Sequence, residues 1–192
     1  VRTSRWKFIK RSYKRALVII RKNNAFTEGF WRALGKEFME KNIEYQPVRF
    51  EGEYVTDFPD DPEKYHPKVK AILKAAVNYQ KISDDPNKEG AIIILGFAHE
   101  VEFFLRAFKE MNLEAQIYTT SAVDTKEFME NAADVAEGIV FPKMFDQHSV
   151  ESDLASKFIF NYYEKKKRNP DLFVAYGYDA AFWMQVDREP NP

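Results

Sequence analysis

At 192 residues the chain is long enough for one sizeable hydrophobic core with some helical surplus. Lys and Arg number 29 against 30 Asp and Glu, a formal net charge of −1, so the basic face of a nucleic-acid binder is not written here. Disulfides, zinc–thiolate sites and thiol nucleophiles are excluded by the absence of cysteine, and no apolar run approaches the ~18 residues of a membrane span.

Val1-Arg-Thr-Ser-Arg5 lacks the apolar core of a signal peptide. Ser4–Tyr13 is basic and aromatic and predicts a short helix leading into a strand at Lys14–Ile20. Phe26, Phe30, Leu34 and Phe38 then recur at helical spacing as one apolar stripe. Tyr45–Phe50 reads as the second strand, and the acidic, proline-punctuated Glu51–Glu63 as a long surface loop. His66-Pro67 places proline in the first turn of a helix whose stripe is Val69, Ile72, Leu73, Ala76 and Val77. A polar loop, Ser83–Gly90, leads into the nearly all-apolar Ala91-Ile-Ile-Ile-Leu95, followed by Gly96-Phe97-Ala98 and a helical stretch His99–Met111. After a strand at Gln116–Tyr118, Asp124 with Glu127 has the spacing of a capping box, and Val123 with Phe128 that of a hydrophobic staple. A fifth strand is expected at Gly138–Phe141, stopped by Pro142. Two helices follow with no strand between them, Asp153–Arg168 and Leu172–Val186, so the boundary falls at about Pro142–Ser152.

Continuous apolar runs alternating with amphipathic helices argue for a parallel sheet covered on both faces. The expected fold class is therefore α/β: a Rossmann-like five-stranded parallel sheet, order 2-1-3-4-5, flanked by helices. Such sheets bind ligands at the carboxyl ends of their strands, where the strand order reverses. The loops Asn23–Phe26, Gly96–His99 and Thr119–Ala122 should then share one rim, with Phe26 close to Phe97.

Most catalytic and metal chemistry has no foothold. No phosphate-cradling glycine loop follows a strand, since Gly29 and Gly35 lie inside a helix. His66, His99 and His148 include no pair at metal-binding helical spacing, so no metal and no cofactor is expected. Asp57, Asp60, Asp61 and Glu63 lack the regular spacing of a calcium loop and are better accounted for as solvated. Lys165-Lys-Lys-Arg168 sits in the last turn before Asn169-Pro170, where cations oppose the helix dipole. A triad of Ser121, His99 and Asp124 can be drawn, but no nucleophile elbow surrounds Ser121. The chain is expected not to be an enzyme, and no catalytic residue is assigned.

Ala16-Leu-Val-Ile-Ile20 with Asn23-Asn-Ala-Phe-Thr-Glu-Gly29 resembles the strand, polar pair, aromatic and helix start of type 1 periplasmic binding proteins. These are the branched-chain amino-acid-binding relatives that serve ABC transporters. Ile94-Leu-Gly-Phe97 with Phe104-Leu-Arg-Ala107, Gln116-Ile-Tyr118, Ala136-Glu-Gly-Ile139 and Ala175-Tyr-Gly-Tyr-Asp-Ala180 are similar to that family in order and spacing. The resemblance covers only the later part of the family's length. It implies that residues 1–13 are a crossover remnant, 14–142 the second, ligand-binding lobe, and 143–192 a helical segment returning to a first lobe not in this sequence.

In such proteins two lobes close on a small molecule, and an ABC permease reads the closed form of the full-length protein. The resemblance therefore implies a solute-binding function in a periplasmic or otherwise extracytoplasmic place. The ligand contacts it implies for this lobe are Asn24 and Phe26 after the first strand, Gly96 and Phe97 after the Ala91–Leu95 strand, and Tyr118, Thr120 and Ser121 around the next strand end. On the residues alone, Phe26 equally begins a core stripe and Phe97 equally caps a sheet edge.

The chain departs from the amino-acid binders at Ser121, where those carry an acid for the ligand's ammonium group. A buried cation without a paired charge is costly, and both aromatic positions are phenylalanine, so the wall is more apolar. The expected ligand is a small apolar or aromatic carboxylate, held by first-lobe donors and packed on Phe26, Phe97 and Tyr118. Glu137 precedes its strand and should lie at the opposite end of the sheet. The alternative function is the extracytoplasmic ligand-sensing domain of a receptor or sensor kinase. With no first lobe to cover them, the last two helices are expected to fold back on the sheet or to pair in a homodimer.

Overall fold

A computed structural model describes residues 13–59, 61–79, 90–146 and 152–186. They fall into two compact units divided at Pro142. The first is built on four parallel strands: β1 (Arg15–Arg21), β2 (Glu44–Phe50), β3 (Gly90–Leu95) and β4 (Gln116–Thr119). Their order is β2-β1-β3-β4. The central strands β1 and β3 run in register from Arg15↔Gly90 to Ile20↔Leu95, and both are continuous apolar runs because both of their faces are covered.

Alternation of side chains sorts these strands into two cores. Leu17, Ile19, Ile92 and Ile94 join Ile72 and Leu73 of α2 (Pro67–Val77) and Val101, Phe104 and Phe108 of α3 (Ala98–Glu110). Ala16, Val18, Ile20, Ala91, Ile93 and Leu95 join Phe38 of α1 (Ala25–Glu40) on the other face. Truncating a buried anchor such as Phe38 to alanine would cost about 3–5 kcal/mol. Edge strand β2 carries Pro47, opposite Val18. A proline is tolerated there because an edge strand needs only one side of its ladder.

Helices α1 and α3 end in the same way. Asn42 and Asn112 take the left-handed conformation, with φ of 53° and 50°. The next residues, Ile43 and Leu113, donate their N–H groups to the Phe38 and Phe108 carbonyls at 2.9 Å each. Each end is a Schellman motif closed by an apolar contact, which drops the chain into the following strand or loop at a fixed angle.

Three expectations need correction. The sheet has four strands among the described residues; in place of a fifth, Val140 alone bridges Tyr118. Gly138, at φ 81°, and Pro142 bracket the segment, and only Val140 makes backbone hydrogen bonds to β4, its N–H to Ile117 at 3.0 Å and its carbonyl from Thr119 at 2.9 Å, while the Gly138 carbonyl accepts from the Gln116 side chain at 2.9 Å. Asp124 does not cap the next helix, α4 (Lys126–Asn131). Thr125 does, accepting from the Phe128 N–H, while Asp124 ends a 3-10 turn at Ser121–Val123. Threonine wins because its hydroxyl is one residue nearer the free N–H groups. The Glu51–Glu63 loop is not merely solvated: it holds 3-10 turns at Gly52–Val55 and Pro62–Lys64, and Val55 is buried in the core. The helix expected within Ser4–Tyr13 and the loop Ser83–Gly90 lie outside the described residues, apart from Tyr13 and Gly90.

The second unit contains α5 (Asp153–Lys166) and α6 (Leu172–Val186). Ser152 caps α5 by accepting from the Ala155 N–H, and Lys167 ends it at φ 52°. Lys165 and Lys166 occupy the last turn, where cations suit the dipole. Phe158 is the buried centre of this unit, with Tyr178 4.4 Å and Phe145 6.5 Å away by ring centroid. Leu154, Phe160, Tyr163, Phe173 and Tyr176 remain exposed. No helix among the described residues is long and apolar enough to cross a membrane.

Candidate functional site

The sheet order reverses between β1 and β3, so a crevice is expected beyond their carboxyl ends, at Arg21 and Leu95. After β1 the chain turns at Asn23, with φ 56°. Asn24 then caps α1, its side-chain oxygen accepting from the N–H groups of Phe26 at 3.0 Å and Thr27 at 3.2 Å. Thr27 is fully buried and its hydroxyl donates to the Arg21 carbonyl at 2.8 Å, tying the helix start back to the strand end. Phe26 is thereby fixed on the first turn, 42% exposed.

After β3 comes Gly96, where a Cβ would stand 2.9 Å from Glu100 Oε2, closer than packing allows. Phe97 follows as the cap residue of α3, and Glu100 reaches back to its N–H at 2.8 Å, half of a capping box. The rings of Phe26 and Phe97 lie parallel, 6.5 Å apart by centroid with an interplanar angle of 11°. After β4, Thr119 donates to the Ile94 carbonyl at 2.9 Å and Thr120 to the Gly96 carbonyl at 3.4 Å. The third loop is thus tied to the second.

The structure therefore brings Phe26 and Phe97 together on the carboxyl rim and links the Thr120–Ser121 loop to Gly96. Ser121 is half-buried there. It does not bring every expected contact to the surface. Tyr118 is 2% exposed and packs edge-on against Tyr13, which precedes β1, so its ring belongs to the core. Thr120 is fully buried, and its hydroxyl also accepts from the Ala122 N–H at 3.3 Å. Asn24 spends its side-chain oxygen on the cap, and Gly96 is buried beneath the rim.

Sequence reasoning missed the ionic centre of this rim. Arg21, the last residue of β1, pairs through Nε with Glu100 Oε1 at 2.6 Å; the arginine side chain is 27% exposed and the glutamate 0%. The guanidinium carbon lies 4.8 Å from the Phe97 ring centroid. Gly52 closes over the pair: a Cβ there would stand 2.8 Å from Arg21 Nη2 and 2.9 Å from Glu100 Oε1. Removing one member would strand a buried charge, at a cost of about 3–5 kcal/mol. The available signals were the charged end of an otherwise apolar strand and a glutamate three residues after Phe97.

Two more ion pairs border the rim, Lys22–Glu51 at 3.2 Å and Arg49–Glu28 at 3.6 Å. The hydroxyl of Tyr54 donates to Glu51, and that bond, with Lys22 second, holds the Glu51 carboxyl below the usual carboxylate range. Among the described residues no three His, Asp or Glu side chains are grouped closely enough to hold a metal ion. A cavity of about 560 Å³ opens at the opposite end of the sheet, beside Gly90 and Gln116. Glu137 lines it, away from the carboxyl rim, and none of the expected ligand contacts does.

No family model and no curated protein matches the sequence. Solved structures do match the fold. A leucine-binding protein from Thermotoga maritima aligns with a TM-score of 0.73 at 21% identity, covering 92% of this chain and 45% of that one. A fatty acid ABC transporter substrate-binding protein from Thermomonospora curvata gives 0.61 at 12%, covering 91% and 41%. A type 1 periplasmic binding protein from Bordetella pertussis gives 0.59 at 16%, covering 88% and 42%. The chain spans less than half the length of each of these proteins. At these identities the likeness is one of architecture, and the architecture is unambiguous: this chain has the fold of one lobe of the type 1 periplasmic binding proteins.

Proposed function

We propose that this chain is the second lobe of a solute-binding protein that seats a small ligand on the Phe26–Phe97 rim and presents it to an ABC permease from an extracytoplasmic compartment. The observation that carries the reading is the pair of parallel phenyl rings at the point where the strand order reverses. Phe26 is solvent-accessible and Phe97 half-buried, so an apolar ligand face can cover them. Closure of the first lobe over that face would supply the differential contacts that shift an open protein to its closed form.

The ligand class follows from what the rim offers. Ser121 stands at the third loop, and a serine cannot balance a buried ammonium group. An apolar or aromatic carboxylate without an ammonium fits this wall better than an amino acid. Among the neighbours of the same fold, one is a fatty acid transporter's binding protein and another a leucine-binding protein, so the architecture accommodates both kinds of ligand.

The test is calorimetry on the full-length protein, with small-angle scattering to read closure. Aromatic and branched aliphatic carboxylates should bind and compact the molecule, while leucine, isoleucine and valine should not bind tightly. Micromolar affinity for those amino acids would overturn the ligand class. Binding that survives a Phe26→Ser, Phe97→Ser double variant unchanged would overturn the site.

A further inference from the structure

Arg21 brings more positive charge to Glu100 than that carboxylate requires. Glu100 is fully buried at the third position of α3, where a carboxylate already faces the positive end of the helix dipole and here accepts the Phe97 N–H at 2.8 Å. A full guanidinium charge 2.6 Å from its Oε1, with the exposed His99 imidazole 3.9 Å from the same oxygen, overcompensates it. The other two rim cations, Lys22 and Arg49, face Glu51 and Glu28, whose side chains are each 35% exposed rather than buried. Arg21 is therefore the cation with charge to spare.

Its placement suits a second anion. The arginine side chain remains 27% exposed. Its guanidinium carbon is held 4.8 Å from the centroid of the Phe97 ring, and that ring parallels Phe26 at 6.5 Å. A lysine would neutralise Glu100 as a point charge, whereas a guanidinium keeps planar N–H groups beyond Nε that match a carboxylate. We infer that Arg21 binds the carboxylate of the ligand, whose apolar body lies on Phe26 and Phe97. The inference rests on the rim being the ligand seat, as proposed above. It replaces the expectation of first-lobe donors: the charged end of the ligand points toward this lobe rather than toward the lobe that closes on it.

Phenylacetate and phenylacetamide, which differ at the carboxylate alone, are the probes, titrated into the full-length protein by calorimetry. Phenylacetate should bind about tenfold or more tightly than the amide, as a charge-assisted bond implies. An Arg21→Gln, Glu100→Gln double variant, which leaves no buried charge, should bind the two equally. A preference that persists in the folded double variant would place the carboxylate elsewhere and overturn the inference. The wild-type protein gives a measurement independent of that variant's folding. With arginine Nε labelled, and the Arg21 signal assigned through Arg21→Lys, phenylacetate should shift that resonance and phenylacetamide should not. Equal shifts, or none while phenylacetate binds, would also overturn it. If neither probe binds, the rim is not the seat and both readings fall. If the two bind alike and perturb Phe26 and Phe97 alone, the seat stands and only the role of Arg21 is lost.

Discussion

Arg21, Glu100, Gly52 and Phe97 form one unit at the rim, and their energies are testable as such. Arg21→Met leaves a fully buried carboxylate with only the exposed His99 imidazole, 3.9 Å away, beside it and should lower stability by about 3–5 kcal/mol in urea unfolding. Adding Glu100→Gln to it should restore much of that loss, a coupling that a double-mutant cycle reads directly. Gly52→Ala drives a methyl group to within 2.9 Å of both charged groups and should cost about 1–3 kcal/mol by overpacking. Phe26 and Phe97 were legible in the sequence because strand ends fix where their loops go. The ion pair was not, because it depends on register: Ile20 lies opposite Leu95, which sets Arg21 beside the loop that starts α3. Tyr118 and Thr120 were misplaced for a related reason. Proximity to a strand end does not say which way a side chain leaves the strand, and both turn into buried surroundings.

At the level of elements, the turn from β1 into α1 depends on Asn24. Asn24→Ala should cost about 0.5–2 kcal/mol and loosen the position of Phe26, visible as faster amide exchange at Phe26 and Thr27. On α3, Lys109 and Arg106 reach Asp134 beyond α4 at 3.2 Å and 3.3 Å. Chiefly through the Lys109 hydrogen bond, and then the Arg106 charge, they hold the Asp134 carboxyl below its ordinary range. A depressed carboxylate stabilises the fold above the unfolded pKa of about 4 and loses that contribution as pH falls through the lower folded value. Asp134→Asn should therefore lower stability slightly at neutral pH and converge with the wild type at the acid end of a pH series of thermal melts. Four strands and the main helices could be read from apolar runs and stripes, because burial on both faces dictates those patterns. The fifth strand could not: Gly138–Phe141 has a strand's composition, but its bracketing glycine and proline leave room for one bridge. The choice between Asp124 and Thr125 as the cap of α4 turned on a one-residue offset that spacing alone does not resolve.

This chain spans under half the length of the solved proteins it matches. Its second unit exposes Phe160 at 65% and Phe173 at 68%, with Leu154 and Tyr176 beside them in the same helices. Apolar surface of this kind favours association, so the 192-residue chain alone should self-associate at micromolar concentration in sedimentation. Phe160→Ser with Phe173→Ser should shift it toward monomer; a monomer without those changes would show that this surface tolerates water. Pro47 bears on the same experiment. Stacking of copies into fibrils needs an outer strand whose free N–H groups can template an incoming one, and β2 interrupts that row at its centre with a residue that has no N–H to offer. Association through the helices should therefore stay reversible and finite, whereas replacing Pro47 with valine would open a route to aggregation that the native edge denies.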